Sequence, residues 1–349
     1  MNRALSRFCS AAIVLLLGVV SGSLLHADGA DALGPFRTQT IELEAGWNAV
    51  YLEIEPLQTD PNLLFADTPI EIVSAYFRPV SAQQFVESPN EVLADPKGWN
   101  VWYRPGRDDE LLTDLYDIQA HSSYLIYSES AFTWTFSGAS FFGTAQWHPN
   151  AYSLVGFPID AAQAPTVESF FAGVEAHEDL KVYRLVSGSW SLVTAPAATL
   201  MEAGTAYWTH SVGSSEFQGP LQVDFNSESI GGLIYTLETG AQRLVLSNVS
   251  PYPQALELSL VAGDNGQIPL AYGVLQINGD TDSVQRTVTP LNGSLQIDAL
   301  EAGQSAVLEL EVRQSEVRAE LMTTTLVVTS DAGLRIEIPV VSVRRDLQN

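Results

Sequence analysis

Cysteine is nearly absent from this sequence, because Cys9 is the only cysteine in 349 residues. Cys9 lies inside a predicted secretory signal, so the mature chain is expected to carry no thiol. A chain without thiols has no disulfide, no thiolate metal ligand and no cysteine nucleophile. Its stability must come from an ordinary hydrophobic core, and a hydrophobic content of 46% is enough to build one.

Basic residues are also scarce. Sixteen of them stand against 41 acidic residues, which gives a net charge of −25, and only Lys97 and Lys181 are lysines. A field of this sign repels phosphate backbones and anionic lipid. The composition therefore disfavours nucleic acid and acidic membrane surfaces, and it leaves a protein or glycan of the cell envelope as the expected partner.

The sequence lacks an apolar run long enough to cross a membrane, which takes about 20 residues. Its most apolar run, residues 11–20, follows Arg3 and Arg7 and precedes small residues, a layout typical of a secretory signal peptide. We predict a signal peptide at residues 1–32, cleaved after residue 27 or 32, with an uncleaved anchor as the alternative. Because no hydrophobic tail follows Val343, no second anchor is expected, and the protein is predicted to be secreted or periplasmic.

Two stretches of the chain resemble each other segment by segment. The matching pairs are 48–56 with 150–158, 118–128 with 201–211, and Phe-x-Gly at 136–138 with Phe-x-Gly at 217–219. We predict a tandem repeat of one β-rich module, at residues 38–140 and 144–220. Each copy is expected to hold a short helix started by a proline, Pro61 or Pro165. The first copy carries an extra polar segment, 79–98, which is expected to be an exposed loop.

The remainder of the chain, residues 221–345, alternates apolar and polar residues with a period of two. Alternation of this kind predicts strands with one buried face. Residues 330–333 are expected to form a hairpin turn in which Gly333 supplies a positive φ. Because no helical segment interrupts these runs, they predict an immunoglobulin-like antiparallel β-sandwich that lacks the Cys and Trp hallmarks of antibody domains. The predicted fold class is therefore mostly β.

Three features together resemble a known group of proteins. They are the opening Gly46-Trp47-Asn48, the strand around Tyr124 or Tyr207 followed by Phe-x-Gly, and a terminal sandwich that contains the segment 300–303. The group comprises uncharacterised secreted bacterial proteins in which tandem Gly-Trp-Asn-type β repeats precede an immunoglobulin-like β-sandwich. The resemblance implies bacterial export and a repeat-module architecture. It transfers no catalytic residue and no ligand.

No catalytic motif is found in the sequence. The histidines lack the i, i+4 spacing of a helical metal pair, and there is no Gly-x-Ser-x-Gly elbow and no phosphate-binding loop. In the repeat, His121 takes the place of Gly204 and His210 that of Tyr127, which indicates turn and packing roles. We therefore predict a non-enzymatic binding or cell-envelope structural, adhesion-type module. The alternative is a secreted hydrolase acting on polysaccharide, with the sandwich as accessory domain, because carboxylates for a glycosidase pair are plentiful.

Two acidic loops offer oxygen ligands of the kind that calcium takes. The first contains Asp108 and Asp109, and the second contains Asp280 and Asp282. Neither has the twelve-residue EF-hand pattern, so solvated turn residues are the alternative. No cofactor is predicted, and calcium is the one ion for which these loops are candidates.

The predicted ligand site lies beside the extra segment of the first copy. Because the second copy has no such segment, this region is expected to be free of the packing demands of the core. Aromatic and arginine side chains are enriched at binding hot spots, so we expect exposed rings on a locally less negative surface. In the alternative, the rings fill the core. The candidate residues are Arg78, Trp99, Trp102, Tyr103, Arg104 and Arg107.

Overall fold

The computed structural model describes residues 35–77, 98–225, 231–236, 240–278 and 283–344, with the backbone alone for 274–278 and 283–286. Strands dominate these ranges, which confirms the mostly β prediction. The predicted signal peptide and Arg78 lie outside the described residues, as does all of the extra segment except Gly98. Within the described part of the chain, no helix is long and apolar enough to cross a membrane.

The described residues of the first β unit, within 36–140, form seven strands and one short α-helix. These are β1 (Phe36–Leu43), β2 (Gly46–Leu52), β3 (Ile54–Pro56), α1 (Pro61–Leu64), β4 (Ile70–Tyr76), β5 (Trp99–Tyr103), β6 (Ser122–Ser128) and β7 (Phe132–Ser140). A four-stranded sheet has the order β2-β6-β4-β5, and a three-stranded sheet has the order β1-β7-β3. Helix α1 begins at Pro61 as predicted, with the side chain of Asp60 accepting the Asn62 N–H at 2.8 Å.

The second β unit, residues 147–217, contains one four-stranded sheet. Its elements are β8 (Ala151–Val155), α2 (Val167–Phe171), β9 (Val182–Val186), β10 (Ser189–Leu192) and β11 (Tyr207–Ser211). Pro165 does not begin α2, contrary to the prediction. Thr166 is the N-cap and forms a capping box with Ser169, so the first helical residue is Val167, two residues after Pro165.

The four-stranded sheets of the two units have the same strand order. The sheet of the second unit has the order β8-β11-β9-β10. In chain order, β8, β9, β10 and β11 therefore occupy the same places in their sheet as β2, β4, β5 and β6 occupy in theirs. The hydroxyl of Tyr124 accepts the Gln119 N–H, and that of Tyr207 accepts the Glu202 N–H, both at 2.8 Å.

The pairing of the first strand differs between the units. Tyr127 pairs with Trp47, whereas His210, which aligns with Tyr127, pairs with Tyr152. The sequence alignment sets Tyr152 against Val50, three residues further on. The shared strand order is what a tandem repeat predicts, and the repeat itself stays a prediction.

The C-terminal part of the chain is a β-sandwich of two five-stranded sheets. One sheet has the order β12-β14-β19-β16-β17 and the other the order β13-β21-β20-β15-β18. The strands are β12 (Leu221–Phe225), β13 (Leu233–Tyr235), β14 (Gln242–Asn248), β15 (Gln254–Ala262), β16 (Leu270–Asn278), β17 (Ser283–Pro290), β18 (Ser294–Leu300), β19 (Ser305–Val312), β20 (Leu321–Ser330) and β21 (Leu334–Val343).

Most local predictions for the sandwich are confirmed. Strand β14 alternates fully buried with less buried side chains along its length, and Gly333 turns the hairpin between β20 and β21 with a φ of 84°. The strand pairs of the sandwich are antiparallel as predicted, with one exception: β13 runs parallel to β21. The chain reaches β13 by crossing from β12 in the opposite sheet, so no hairpin forces the two neighbours to be antiparallel.

The second β unit and the sandwich share one hydrophobic core. Trp147 and Phe170 of the second unit belong to the same buried cluster as Leu244 and Leu334 of the sandwich. The boundary predicted between residues 220 and 221 coincides with the start of β12, yet side chains from both sides of it pack together. Whether the two parts fold as separate domains stays a prediction.

An ion cluster joins the first β unit to the sandwich. It comprises Arg37, Glu53, Ser140, Arg335 and Glu337. The Arg37 Nε donates to Oε2 of Glu337 at 2.7 Å, and its Nη2 donates to Oε2 of Glu53 at 2.8 Å. The Ser140 hydroxyl and the Arg335 Nε also donate to Glu337, at 2.8 and 3.2 Å. Because only 7% of the Glu337 side chain is exposed, these donors replace its lost water.

Candidate functional site

The three rings of the predicted ligand site are buried, so the expectation that they are exposed is wrong. Trp99 is 3% exposed, Trp102 1% and Tyr103 6%. All three lie on β5, at the edge of a sheet that is covered on both faces. Trp102 belongs to the core of the first unit, and Trp99 and Tyr103 point to the opposite face. The alternative reading, that the rings fill the core, is the one the burial supports.

The opposite face packs against the second unit through an aromatic interface, defined here by Tyr76, Trp99, Trp190 and Trp208. Ring centroids of Tyr76 and Trp99 lie 5.0 Å apart, and each ring also contacts that of Trp208, at 5.2 and 6.2 Å. Trp190 reaches Trp208 at 6.2 Å from β10. The contacts of Tyr76 and Trp99 with Trp208 therefore hold the two units together.

The two described arginines of the predicted site are engaged by the protein itself. Arg104 lies 2.8 Å from Glu71 and donates to the carbonyl oxygen of Phe65, at the end of α1. Arg107 binds both carboxylate oxygens of Asp109, and these hydrogen bonds raise the pKa of Arg107 and lower that of Asp109. These pairings neutralise the positive charges of the two arginines, which were expected to make this surface less negative.

The calcium candidates are placed only in part. The carboxylate of Asp109 is held by Arg107 at 2.8 and 3.0 Å. Asp280 and Asp282 lie outside the described residues. Among the residues that the structure does describe, no group of three or more His, Cys, Asp or Glu side chains is arranged to hold a metal ion.

Two histidines lie between packed elements, His177 buried and His121 partly buried. The Tyr51 hydroxyl lies 2.7 Å from Nδ1 of His121, and burial lowers the pKa of His121 to about 4. Burial also lowers the pKa of His177, which packs against the ring of Trp147 at 4.5 Å. His121 has a positive φ of 53°, and Gly204, which aligns with it, has a φ of 70°. The turn role predicted for His121 fits this backbone geometry.

The burial of His121 predicts a specific pH dependence of stability. His121 has a pKa of about 4 when folded and about 6.5 when unfolded. Between these values the unfolded chain binds more protons, so the contribution is complete above pH 6.5 and is lost as the pH falls towards 4. The expected loss is about 1.4 kcal/mol per pH unit, and about 3 kcal/mol in all.

The measurement is urea unfolding from pH 4 to 7 of the natural protein and of the His121→Asn variant. Asparagine tolerates the positive φ, so the backbone is retained. The variant is expected to lose the His121 contribution to the slope and to keep that of His177. Equal slopes in the two proteins would contradict the burial of a neutral His121.

A groove of about 840 Å³ lies between the second β unit and the sandwich. We call it the acidic groove. Its walls are strand β12, the segment 173–178 and the segment 212–219. Four exposed carboxylates line it, and its described lining contains no Lys, Arg or His. The carboxylates belong to Glu175, Glu178, Glu216 and Asp224. Its apolar lining includes Val174, Phe217, Val223 and Ile336.

Strand β12 presents an open edge to this groove. Among the described strands it is the terminal one of its sheet, and β14 is its single partner there. The Val249 N–H donates to the Pro220 carbonyl at 3.0 Å, so the pair 220:249 is hydrogen-bonded. Bonded and non-bonded pairs alternate along an antiparallel ladder.

This alternation assigns each backbone group of β12 to one side. Gln222 and Asp224 direct their N–H and C=O groups to β14. Leu221 and Val223 direct theirs to the opposite side. Within the described part of the chain, neither amide donates to a residue outside the ladder. The groove therefore offers backbone donors and acceptors at the spacing of a β-strand.

Sequence reasoning missed this groove because its parts are far apart in the chain. Glu175 is separated from Glu216 and Asp224 by a segment that contains β9, β10 and β11. The one available signal was Asp224 at an outward position of an amphipathic strand, and such positions are ordinary surface sites. Only the packing of the second unit against the sandwich brings the carboxylates to one groove.

No family model matches this sequence, and no curated protein matches it. Several solved structures are similar to part of the chain at low TM-scores. The Salmonella enterica SafA pilin in complex with the SafB chaperone is similar at 17% identity and a TM-score of 0.23, over 37% of this chain and 57% of that one. The chain thus spans a little over half the length of that structure.

Two further structures show a likeness of the same extent. A FixG-related protein from Vibrio parahaemolyticus has 13% identity and a TM-score of 0.22, over 36% of this chain and 98% of that one. A family 123 glycoside hydrolase from Clostridium perfringens has 15% identity and a TM-score of 0.24, over 36% of this chain and 28% of that one. Scores of this size say nothing about activity.

Proposed function

We propose that this protein is an exported, non-enzymatic binding module whose ligand lies in the acidic groove. The supporting observation is the groove itself, where an open strand edge, apolar side chains and four exposed carboxylates meet. Ligand sites are typically concave, partly apolar spaces of about 300–1,000 Å³ with a few polar groups that fix the ligand.

Export to the periplasm or the cell exterior is part of this proposal. The N-terminal layout of Arg3 and Arg7 before an apolar run supports it, and so does a composition without thiols after residue 9. In that setting the ligand is a protein or glycan of the cell envelope. A net charge of −25 disfavours anionic partners.

The carboxylates favour binding over hydrolysis. A glycosidase needs one carboxyl group in a poorly solvated pocket, where it stays protonated and acts as the acid. The four carboxylates of the acidic groove are all exposed to solvent. A polysaccharide hydrolase remains the alternative function, and the experiment below includes its product.

The absence of thiols after Cys9 allows the groove to be labelled at one position. Ser214 is exposed and lines the groove, so Ser214→Cys carries an environment-sensitive fluorophore there. The labelled protein is titrated with basic, neutral and acidic peptides and with a panel of envelope oligosaccharides. We expect a saturable change for one ligand class. The Ser294→Cys label, on an exposed position of β18, should not respond.

A blocking variant tests the location. Ser214→Trp fills the groove and is expected to abolish binding of the same ligand to the otherwise natural protein, whereas Ser294→Trp should leave it unchanged. A ligand that binds Ser214→Trp normally lies elsewhere, and a panel without any response at Ser214 contradicts the proposal. Release of reducing ends from an oligosaccharide would favour the hydrolase.

A further inference from the structure

We infer that the occupant of the acidic groove is an extended polypeptide segment that alternates apolar and basic side chains and pairs with the open edge of β12. This inference rests on the proposed function and names the chemistry of its ligand. It follows from three properties of the groove: the direction of its backbone groups, its charge, and the position of its apolar side chains.

The backbone groups favour an extended segment. Leu221 and Val223 direct N–H and C=O groups away from β14, and the groove lies along that edge. A strand presents complementary groups at the same two-residue interval, and added strands derive their affinity from such bonds. A helix satisfies its own backbone and offers no such partners.

The charge favours basic side chains. Glu175 and Glu178 stand on one wall, Glu216 on another, and Asp224 on β12. The described lining holds no cation to balance them. An acidic segment would place like charges together, which costs affinity, whereas a basic segment is attracted both by the groove and by the acidic protein as a whole.

The apolar lining favours alternation. Phe217, Val223 and Ile336 are buried, at 7–8% exposed, and form part of the groove wall. Successive side chains of a strand point to opposite faces. In a paired segment every second side chain therefore meets these residues, and the remaining ones reach the exposed carboxylates at the rim.

The first test uses two defined probes, an acetylated and amidated octapeptide of alternating lysine and valine and its glutamate and valine counterpart. The lysine peptide is expected to bind the full protein at least tenfold more tightly. Its affinity should fall as salt is raised, because added ions screen exposed charges. Glu216→Lys with Asp224→Lys should weaken binding about tenfold or more, whereas Asp298→Lys with Glu301→Lys, at exposed positions of β18 and the turn after it, should leave it within twofold of the natural protein.

The second test examines pairing with the edge directly. Amide hydrogen exchange is measured by NMR with and without the lysine peptide. The amides of Leu221 and Val223 should become protected, whereas those of Gln222 and Asp224, which already bond to β14, should change little. Two peptides are then compared, one N-methylated at the odd residues and one at the even residues. One of them should lose binding and the other should keep it, because only one edge of the peptide faces β12.

The outcomes separate this inference from the proposed function. If other ligands respond at Ser214 while the lysine peptide binds no better than the glutamate peptide, the basic occupant is wrong and the groove still binds. If the lysine peptide binds without protecting Leu221 and Val223, strand pairing is wrong. If nothing binds at Ser214, both the inference and the proposed function fail.

Discussion

Replacing Trp99 by alanine is expected to lower the free energy of unfolding by about 3–5 kcal/mol, the range for deletion of a large buried ring. Trp99 is 3% exposed and contacts both Tyr76 and Trp208 at the junction of the two units. The loss has two parts: apolar surface is no longer buried, and a cavity opens between two packed sheets. Urea unfolding followed by tryptophan fluorescence and circular dichroism measures it.

Tyr116→Ala is the matched control for this prediction. Tyr116 is a large ring of the same unit that is 69% exposed, so its removal should change stability by about 0.5 kcal/mol or less. A Trp99→Ala variant as stable as Tyr116→Ala would show that the aromatic interface does not form in solution. The same result would mean that Trp99 is exposed and could contact a ligand.

Replacing Arg37 by methionine is expected to destabilise the protein by about 3 kcal/mol, because it leaves a buried carboxylate without its main partner. Glu337 would keep only Arg335 and the Ser140 hydroxyl, with 7% of its side chain exposed. Glu53 would lose the same guanidinium. Two carboxylates would then face each other across the junction of the first unit and the sandwich.

The double variant Arg37→Met with Glu337→Met decides whether this cost arises from the unpaired charge. Apolar replacement of both partners is often close to neutral, so the double variant should be more stable than Arg37→Met alone. Arg313→Met is the control, since its pair with Glu316 is more exposed and should contribute about 0.5 kcal/mol or less. A double variant less stable than Arg37→Met would contradict this account of the ion cluster.

The sandwich shows how far local pattern carries. The period of two along 242–248 predicts the burial pattern of β14, because a strand with one solvent-facing side alternates polar and apolar residues. The turn at Gly333 also follows from its own residues, since only a few residue types accept a positive φ. The parallel pairing of β13 with β21 was missed, because strand direction depends on which sheet a distant segment joins.

The candidate site shows where local pattern fails. The segment Trp99–Tyr103 combines rings and neighbouring arginines, which in isolation indicates a binding surface. The structure covers it from both sides, with the three-stranded sheet on one face of its sheet and the second unit on the other. The sequence of the segment 99–103 alone does not indicate that the second unit packs on it.

The sequence by itself determined the properties that are sums or short periods along the chain. Net charge, the absence of cysteine after residue 9, the mostly β class and the alternating strands of residues 221–345 all belong to this kind. Tertiary structure alone decided which faces of the sheets are exposed to solvent and which strand edges stay open. The rings of β5 are buried because the second unit packs against them. The edge of β12 is open because the second unit and the sandwich leave a groove beside it. Both results depend on contacts between residues that are too distant in sequence for a local pattern to indicate.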